Sequence, residues 1–159
     1  MSKFQFLDSQ AAFALRVKQL HDRLYEQMDD ALVQSGLKLH AKTTGIVQLL
    51  YQEGPCSVGQ IAERLRYSHQ LATQRLSWLL DRHYAESERD PDDLRRRRVV
   101  LTKTGVREAK KLQDFLPRLS ASYSDLFTET GLNLDAAISA ADEALKTTPL
   151  IKRFPDEAH

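Results

Sequence analysis

Arg95, Arg96, Arg97 and Arg98 stand in an unbroken row, and ten of the chain's fourteen arginines fall between residues 57 and 107. Guanidinium is planar, permanently charged and weakly hydrated, so clustered arginine suits phosphate oxygens and narrow electronegative grooves. In a strand, adjacent side chains point to opposite faces, so the four cannot all meet one partner. Two are expected on phosphate and two on Asp90, Asp92 or Asp93. Upstream, Ser68, His69, Gln70, Thr73, Gln74 and Arg75 gather hydroxyl, imidazole, amide and guanidinium groups near the start of one predicted helix. A glutamine bonds an adenine edge bidentately, a threonine meets a thymine methyl or a phosphate, and a serine-capped helix N-terminus favours phosphate. Arg75 is expected to run its stem along the core and present its head to phosphate.

The whole-chain charge of +1 hides this pattern. Residues 1–56 balance six bases against six acids, residues 57–107 carry eleven bases and seven acids, and residues 108–159 carry six bases and nine acids. The segments are therefore neutral, +4 and −3. The basic excess sits in the middle third, as a local electrostatic footprint for a polyanion.

Other chemistries lack their residues. The single cysteine, Cys56, excludes an internal disulfide and a multi-cysteine zinc site. The five histidines show no paired metal-ligand spacing, and no nucleophile elbow, phosphate-binding loop or dinucleotide fingerprint occurs. Asp92 and Asp93 form a carboxylate pair, but beside four arginines both should be ionised rather than split into acid and base. No cofactor is expected, and neither is an enzyme. No apolar run approaches the ~18 residues of a membrane span, and Asp8 interrupts the start of the chain before any signal core forms. The cytoplasm is the expected compartment.

Six helices and a hairpin must position these groups. Phe13, Val17, Leu20, Leu24, Met28 and Ala31 recur three and four apart, predicting one long helix over 9–34 with a stripe suited to a core or to a second subunit. Ile46, Leu49 and Leu50 mark a second helix over 43–52, stopped by Gly54-Pro55. Ser57 with Gln60 has the capping-box pattern and opens a third. Ser68 caps a fourth, which runs to about His83 with Ala72, Leu76, Leu79 and Leu80 inward. Two short helices around a tight turn, the second polar at its start, make a helix-turn-helix pattern. Strands are predicted over 84–89 and 97–102 around an Asp-Pro turn. A long helix follows Gly105, with Pro117 expected to kink or divide it, and a last one covers 133–146. Trp78 and Tyr25 are expected in packing.

Arg89-Asp90-Pro91-Asp92-Asp93-Leu94-Arg95-Arg96-Arg97-Arg98-Val99-Val100-Leu101-Thr102-Lys103-Thr104-Gly105 resembles the wing of the MarR family of bacterial transcription regulators. The order of elements is similar over essentially the whole chain. The resemblance implies a mostly α winged helix-turn-helix with a two-stranded β-wing, in one domain over 1–159. Within it, 1–35 and 108–150 would be dimerisation helices and 40–107 the DNA-binding lobe. It implies a homodimer on pseudo-palindromic double-stranded DNA, with the fourth helix in the major groove and the wing at the minor groove. Arg95 matches the arginine such wings place in the minor groove, and Asp93 the acid that holds it. The chain departs from its relatives at His83, where many have glycine, and at Gln74, where an arginine is common. Cys56 does not match the cysteine near the start of the first helix through which some relatives sense oxidants.

The resemblance also implies a pocket for a small aromatic or anionic effector, with Arg16, His21, Tyr25 and Tyr51 as lining candidates. No membrane partner is expected. A winged-helix protein-interaction module, without sequence-specific DNA binding, is the alternative reading.

Overall fold

The computed structural model describes residues 9–91, 95 and 97–155. Asp92, Asp93, Leu94 and Arg96 lie outside the described residues, and so does the end of the chain beyond Pro155. The elements run α1 (Phe13–Gln34), α2 (Thr44–Glu53), α3 (Val58–Leu65), α4 (His69–Asp81), β1 (Ala85–Arg89), β2 (Arg97–Leu101), α5 (Lys103–Thr130) and α6 (Leu134–Thr147). Short 3-10 turns precede α1 and α2 and follow α6. Two compact units divide the chain, Met1–Phe115 and Leu116–His159.

In the first unit, Leu32 of α1, Ile46 and Val47 of α2, Ile61 of α3, Leu79 of α4 and Leu112 of α5 form a solid apolar centre. The periodic stripe of α1 divides in two. Its C-terminal part is half-buried or buried, whereas Phe13, Val17 and Leu20 lie open to solvent, Phe13 at 62%. In the second unit α6 buries none of its residues.

Local capping follows the sequence closely. Ser57 Oγ accepts from Gln60 N at 3.2 Å while Gln60 Oε1 accepts from Ser57 N at 2.8 Å, so the reciprocal box is complete. Ser68 Oγ accepts from Leu71 N at 3.1 Å. Between them Arg66 takes the left-handed conformation that closes α3, at φ 53°. Pro117 does not divide α5, which stays helical from Lys103 to Thr130. A proline removes a single N–H from the ladder, and a helix of 28 residues has turns enough on either side to continue.

A buried carboxylate ties the start of α5 to the loop after α1. Glu108, 5% exposed, accepts from Lys38 N at 2.7 Å and from Lys111 Nζ at 2.7 Å, and Lys111 also donates to the Gly36 carbonyl. The cation and the backbone donor together offset the desolvation of the ionised group.

The root of the wing is tighter still. Strands β1 and β2 pair antiparallel, Ala85 opposite Leu101 through to Arg89 opposite Arg97, and Cys56 adds a bridge to Val99. Thr102 N donates to Tyr84 O at 3.0 Å, Thr102 Oγ1 donates to His83 O at 2.7 Å, and the same hydroxyl accepts from Gly105 N at 3.0 Å. A Cβ on Gly105 would stand 1.9 Å from Tyr84 O. Replacing Gly105 by alanine must therefore push α5 off the wing root. Chemical denaturation of Gly105→Ala is expected to show a loss of about 2–3 kcal/mol, in the upper part of the range for overpacking.

Candidate nucleic-acid interface

The candidate surface lies on one helix, α4. Ala72, Leu76 and Leu79 of α4 are buried, while Ser68, His69, Gln70, Thr73, Gln74 and Ser77 are exposed. Positions 69, 70, 73, 74 and 77 share one side of a helix of 3.6 residues per turn. Ser68 is occupied as the N-cap, which keeps the first turn fixed. Thr73 Oγ1 donates to the His69 carbonyl at 2.9 Å, so its methyl and remaining lone pairs are what it offers outward.

The wing divides its arginines as strand alternation requires. Arg98 is half-buried and pairs with Glu88 at 2.7 Å, its direct partner across the sheet. The aspartates of the turn were the expected partners of the arginine run; for Arg98 the register selects Glu88 instead. Arg97 is exposed, its Nε donating to Ser87 Oγ at 2.9 Å. That bond holds the stem along β1 and leaves part of the guanidinium facing solvent. Arg95 is exposed at the turn. The expected contacts of Arg96 and Asp93 fall outside the described residues.

Arg75 turns away from this surface. Its guanidinium carbon stands 4.4 Å from the Tyr67 ring centroid and 6.0 Å from that of Tyr25, so the side chain lies inward between the helix-turn-helix turn and α1. It borders a cavity of about 480 Å³ whose wall comes from His21 of α1 and from His40, Lys42 and Thr43 ahead of α2. Leu71, Gln74 and Trp78 of α4 complete the lining with Arg75. Of the four residues expected around an effector, His21 lines this cavity and Tyr25 packs beside it, the two rings 4.7 Å apart. Tyr51 instead borders a separate, largely apolar groove with Pro55, Val100 and Leu101. Arg16 is absent from the lining and donates to the Ser9 carbonyl at 3.0 Å.

His40, Lys42, Thr43 and Trp78 were not singled out for this site by sequence. His40 is held by Asp29 at 3.3 Å and meets Trp78 edge-on with centroids 6.0 Å apart; Trp78 in turn stacks on Tyr84. The available signal was their chemistry, an imidazole and a lysine just ahead of α2 and the single tryptophan near the end of α4. Asp22, beside His21, has its carboxyl held below the usual range chiefly by the hydrogen bond from Lys18, then by His21. Burial pushes the Cys56 thiol up, consistent with an inert buried sulfur rather than a sensor.

A helix-turn-helix followed by a two-stranded wing defines this lobe as a winged helix-turn-helix. Residues 35–96 match the model of the MarR family. A search of curated proteins found no match. Among solved structures, the fold is similar to the PcaV transcriptional regulator from Streptomyces coelicolor in complex with its natural ligand. That match has 21% identity over 91% of this chain and 99% of that one, with a TM-score of 0.63. It is similar too to MepR of S. aureus in complex with DNA, at 17% identity over 86% of this chain and 99% of that one, TM-score 0.67. A ZitR variant from Lactococcus lactis shares 26% identity over 69% of this chain and 75% of its own, TM-score 0.50. Among the described residues no helix is long and apolar enough to cross a membrane.

His83 occupies a backbone position that favours glycine. His83 closes α4 at φ 58°, with His83 N and Tyr84 N bonded back to Leu80 O and Leu79 O. A left-handed residue with a Cβ is strained by about 1–2 kcal/mol, of which part returns as lost unfolded-state freedom. His83→Gly is expected to raise the unfolding midpoint by the equivalent of up to about 1 kcal/mol, read by thermal denaturation.

Proposed function

We propose that this chain is a DNA-binding transcriptional regulator working as a homodimeric repressor. Each subunit would lay α4 in the major groove of a half-site and set its wing against the adjacent minor groove. The observation that carries the reading is the exposed polar face of α4 flanked by the arginine-bearing wing, on a lobe matched to the MarR family. Gln70 and Gln74 are the adenine-reading candidates, and Arg95, Arg96 and Arg97 the groove and phosphate contacts. MepR, of like fold, is solved with DNA, and PcaV with its natural ligand. Arg75 leaves the direct contact set, because its guanidinium is engaged inward.

Dimerisation through residues 1–35 and 108–150 accounts for apolar surface that one protomer does not cover. Leu15, Val17 and Leu20 in the first unit are exposed, as are Ile138, Leu145, Leu150 and Ile151 in the second, Ile151 at 74%. Large exposed apolar patches mark interaction surfaces. A two-fold pair of recognition helices would read half-sites about one helical turn apart. A bound dimer covers the DNA it occupies, which is the physical basis of repression. The cavity beside α4 is the place where a small aromatic or anionic effector would release it.

Two measurements test this reading. Fluorescence anisotropy with duplex across a salt series is expected to show binding that weakens steeply with salt. For Arg95→Ala the loss should be near-uniform across sequences, and the slope of log affinity against log salt shallower by about 1. No binding to random duplex at low salt would turn the assignment toward a protein-interaction module. In sedimentation velocity the wild-type chain is expected as a dimer, and Ile138→Asp combined with Leu145→Asp as a folded monomer; a wild-type monomer would defeat the dimer model.

A further inference from the structure

We infer that Arg89 and Arg97, which face each other across the wing, form a two-arginine receptor for a single phosphate of a DNA strand. Arg89 stands outside the contacts assigned above. The inference rests on the DNA-binding reading and adds to it a residue, a shared phosphate and a cost carried by the unbound protein.

Register and alternation place the pair. Arg89 lies directly opposite Arg97, and both are exposed. Side chains two apart share a face of a ribbon, so the arginines stand on one face with Ser87, Ala85 and Val99. Ala85 and Val99, at 2% and 3% exposure, press the root of that face into the core, and the arginines continue it toward the tip. Glu86 and Glu88 are the acids of β1, and alternation puts both on the opposite face. There Glu88 takes Arg98, its partner across the sheet. Of two consecutive arginines on β2, one is thus neutralised within the sheet and the other is set against a like charge.

Two guanidiniums directly opposite destabilise an antiparallel pair, because residues so placed have Cβ atoms only about 5 Å apart. Arg97 is nonetheless held in place. Its Nε donates to Ser87 Oγ at 2.9 Å and its Nη2 to the Ser87 carbonyl at 3.4 Å. Ser87 lies on β1, next but one to Arg89, so these bonds draw the Arg97 head across the ribbon to the strand that bears Arg89. Nη1 is uncommitted among the described residues. An oxyanion between the two heads turns their repulsion into two attractions. A phosphodiester presents two non-bridging oxygens that share one charge, one oxygen for each guanidinium. The wing is also the part that the regulatory reading sets against duplex, so the phosphate is one of the DNA backbone.

The pair has opposite effects in the free and the bound protein. Without DNA, Arg89→Gln removes the repulsion. Its thermal midpoint at low salt is expected about 1–3 °C above wild type, a gain that fades as salt screens the charges. Inorganic phosphate, compared with chloride at equal ionic strength, should raise the wild-type midpoint saturably and leave Arg89→Gln unmoved. With duplex, Arg89→Gln and Arg97→Gln should each lose about five- to tenfold in affinity on every sequence, and Arg89→Lys less. Each single variant should keep the wild-type salt slope, because the remaining arginine still neutralises the shared phosphate. The double variant should be shallower by about 1.

A double-variant slope shallower by about 2 would mean separate phosphates and overturn the shared receptor. The receptor is also overturned if Arg89→Gln lowers the midpoint, or if inorganic phosphate protects wild type and variant alike or protects neither. Protection by phosphate with duplex affinity indifferent to Arg89 overturns its assignment to DNA. Failure of the wild-type protein to bind any duplex would strike the regulator reading instead, and the phosphate titration would still test the receptor without DNA.

Discussion

The carbonyl oxygen of Tyr84 is the point on which the recognition apparatus turns. It accepts from Thr102 N, and the surface of Gly105 closes over it at a distance no side chain permits. Through that one oxygen, the exit from α4, the root of the β-wing and the first turn of α5 are held in register. The Thr102 hydroxyl, bonded to His83 O on one side and Gly105 N on the other, completes the joint. These bonds fix the offset of the wing from α4. The Leu-Thr-x-x-Gly segment supplies that offset: threonine bridges and glycine permits contact. The strain at His83 is tolerated because the surrounding bonds over-determine the turn.

Placed against this joint, α4 is a partition. One side carries small polar groups into solvent, a second side enters the core, and a third borders a cavity with cationic and aromatic walls. Residues 74 and 75 are adjacent in sequence and diverge in space, one exposed and one engaged inward.

Most of the lobe was legible in the sequence because its determinants are local. Ser57 with Gln60 named a capping box that the structure forms, Ser68 named an N-cap, and the strand limits differ by a residue at one end each. What escaped depends on pairings between distant segments. Tyr25 and Tyr51 looked equivalent as aromatic candidates, yet only Tyr25 lies by the cavity. His40 and Lys42 become cavity residues only when α1 and α4 are both in place. Arg75 could run outward or inward on its long stem, and the ring of Tyr67 decides the matter. Arg98 had three nearby aspartates to choose from by sequence distance, whereas register gives it Glu88. The apolar stripe of α1 was read correctly as a stripe, but its division into a covered and an uncovered half is a property of the tertiary structure.

The Glu108 tie has a consequence for the order in which the protein is made. The carboxylate that caps Lys38 N is seventy residues further along the chain, on the helix that follows the wing. A nascent chain that has emerged through β2 holds every residue of the helix-turn-helix but lacks both Glu108 and Leu112, the one a lid on polar backbone and the other part of the apolar centre. Contacts of such sequence separation close late, after the loop entropy has been overcome. Synthesis must pass about Phe115, the end of the first compact unit, before this lobe can settle. The helix-turn-helix is thus translated before the contacts that complete it, and waits on the stem of α5.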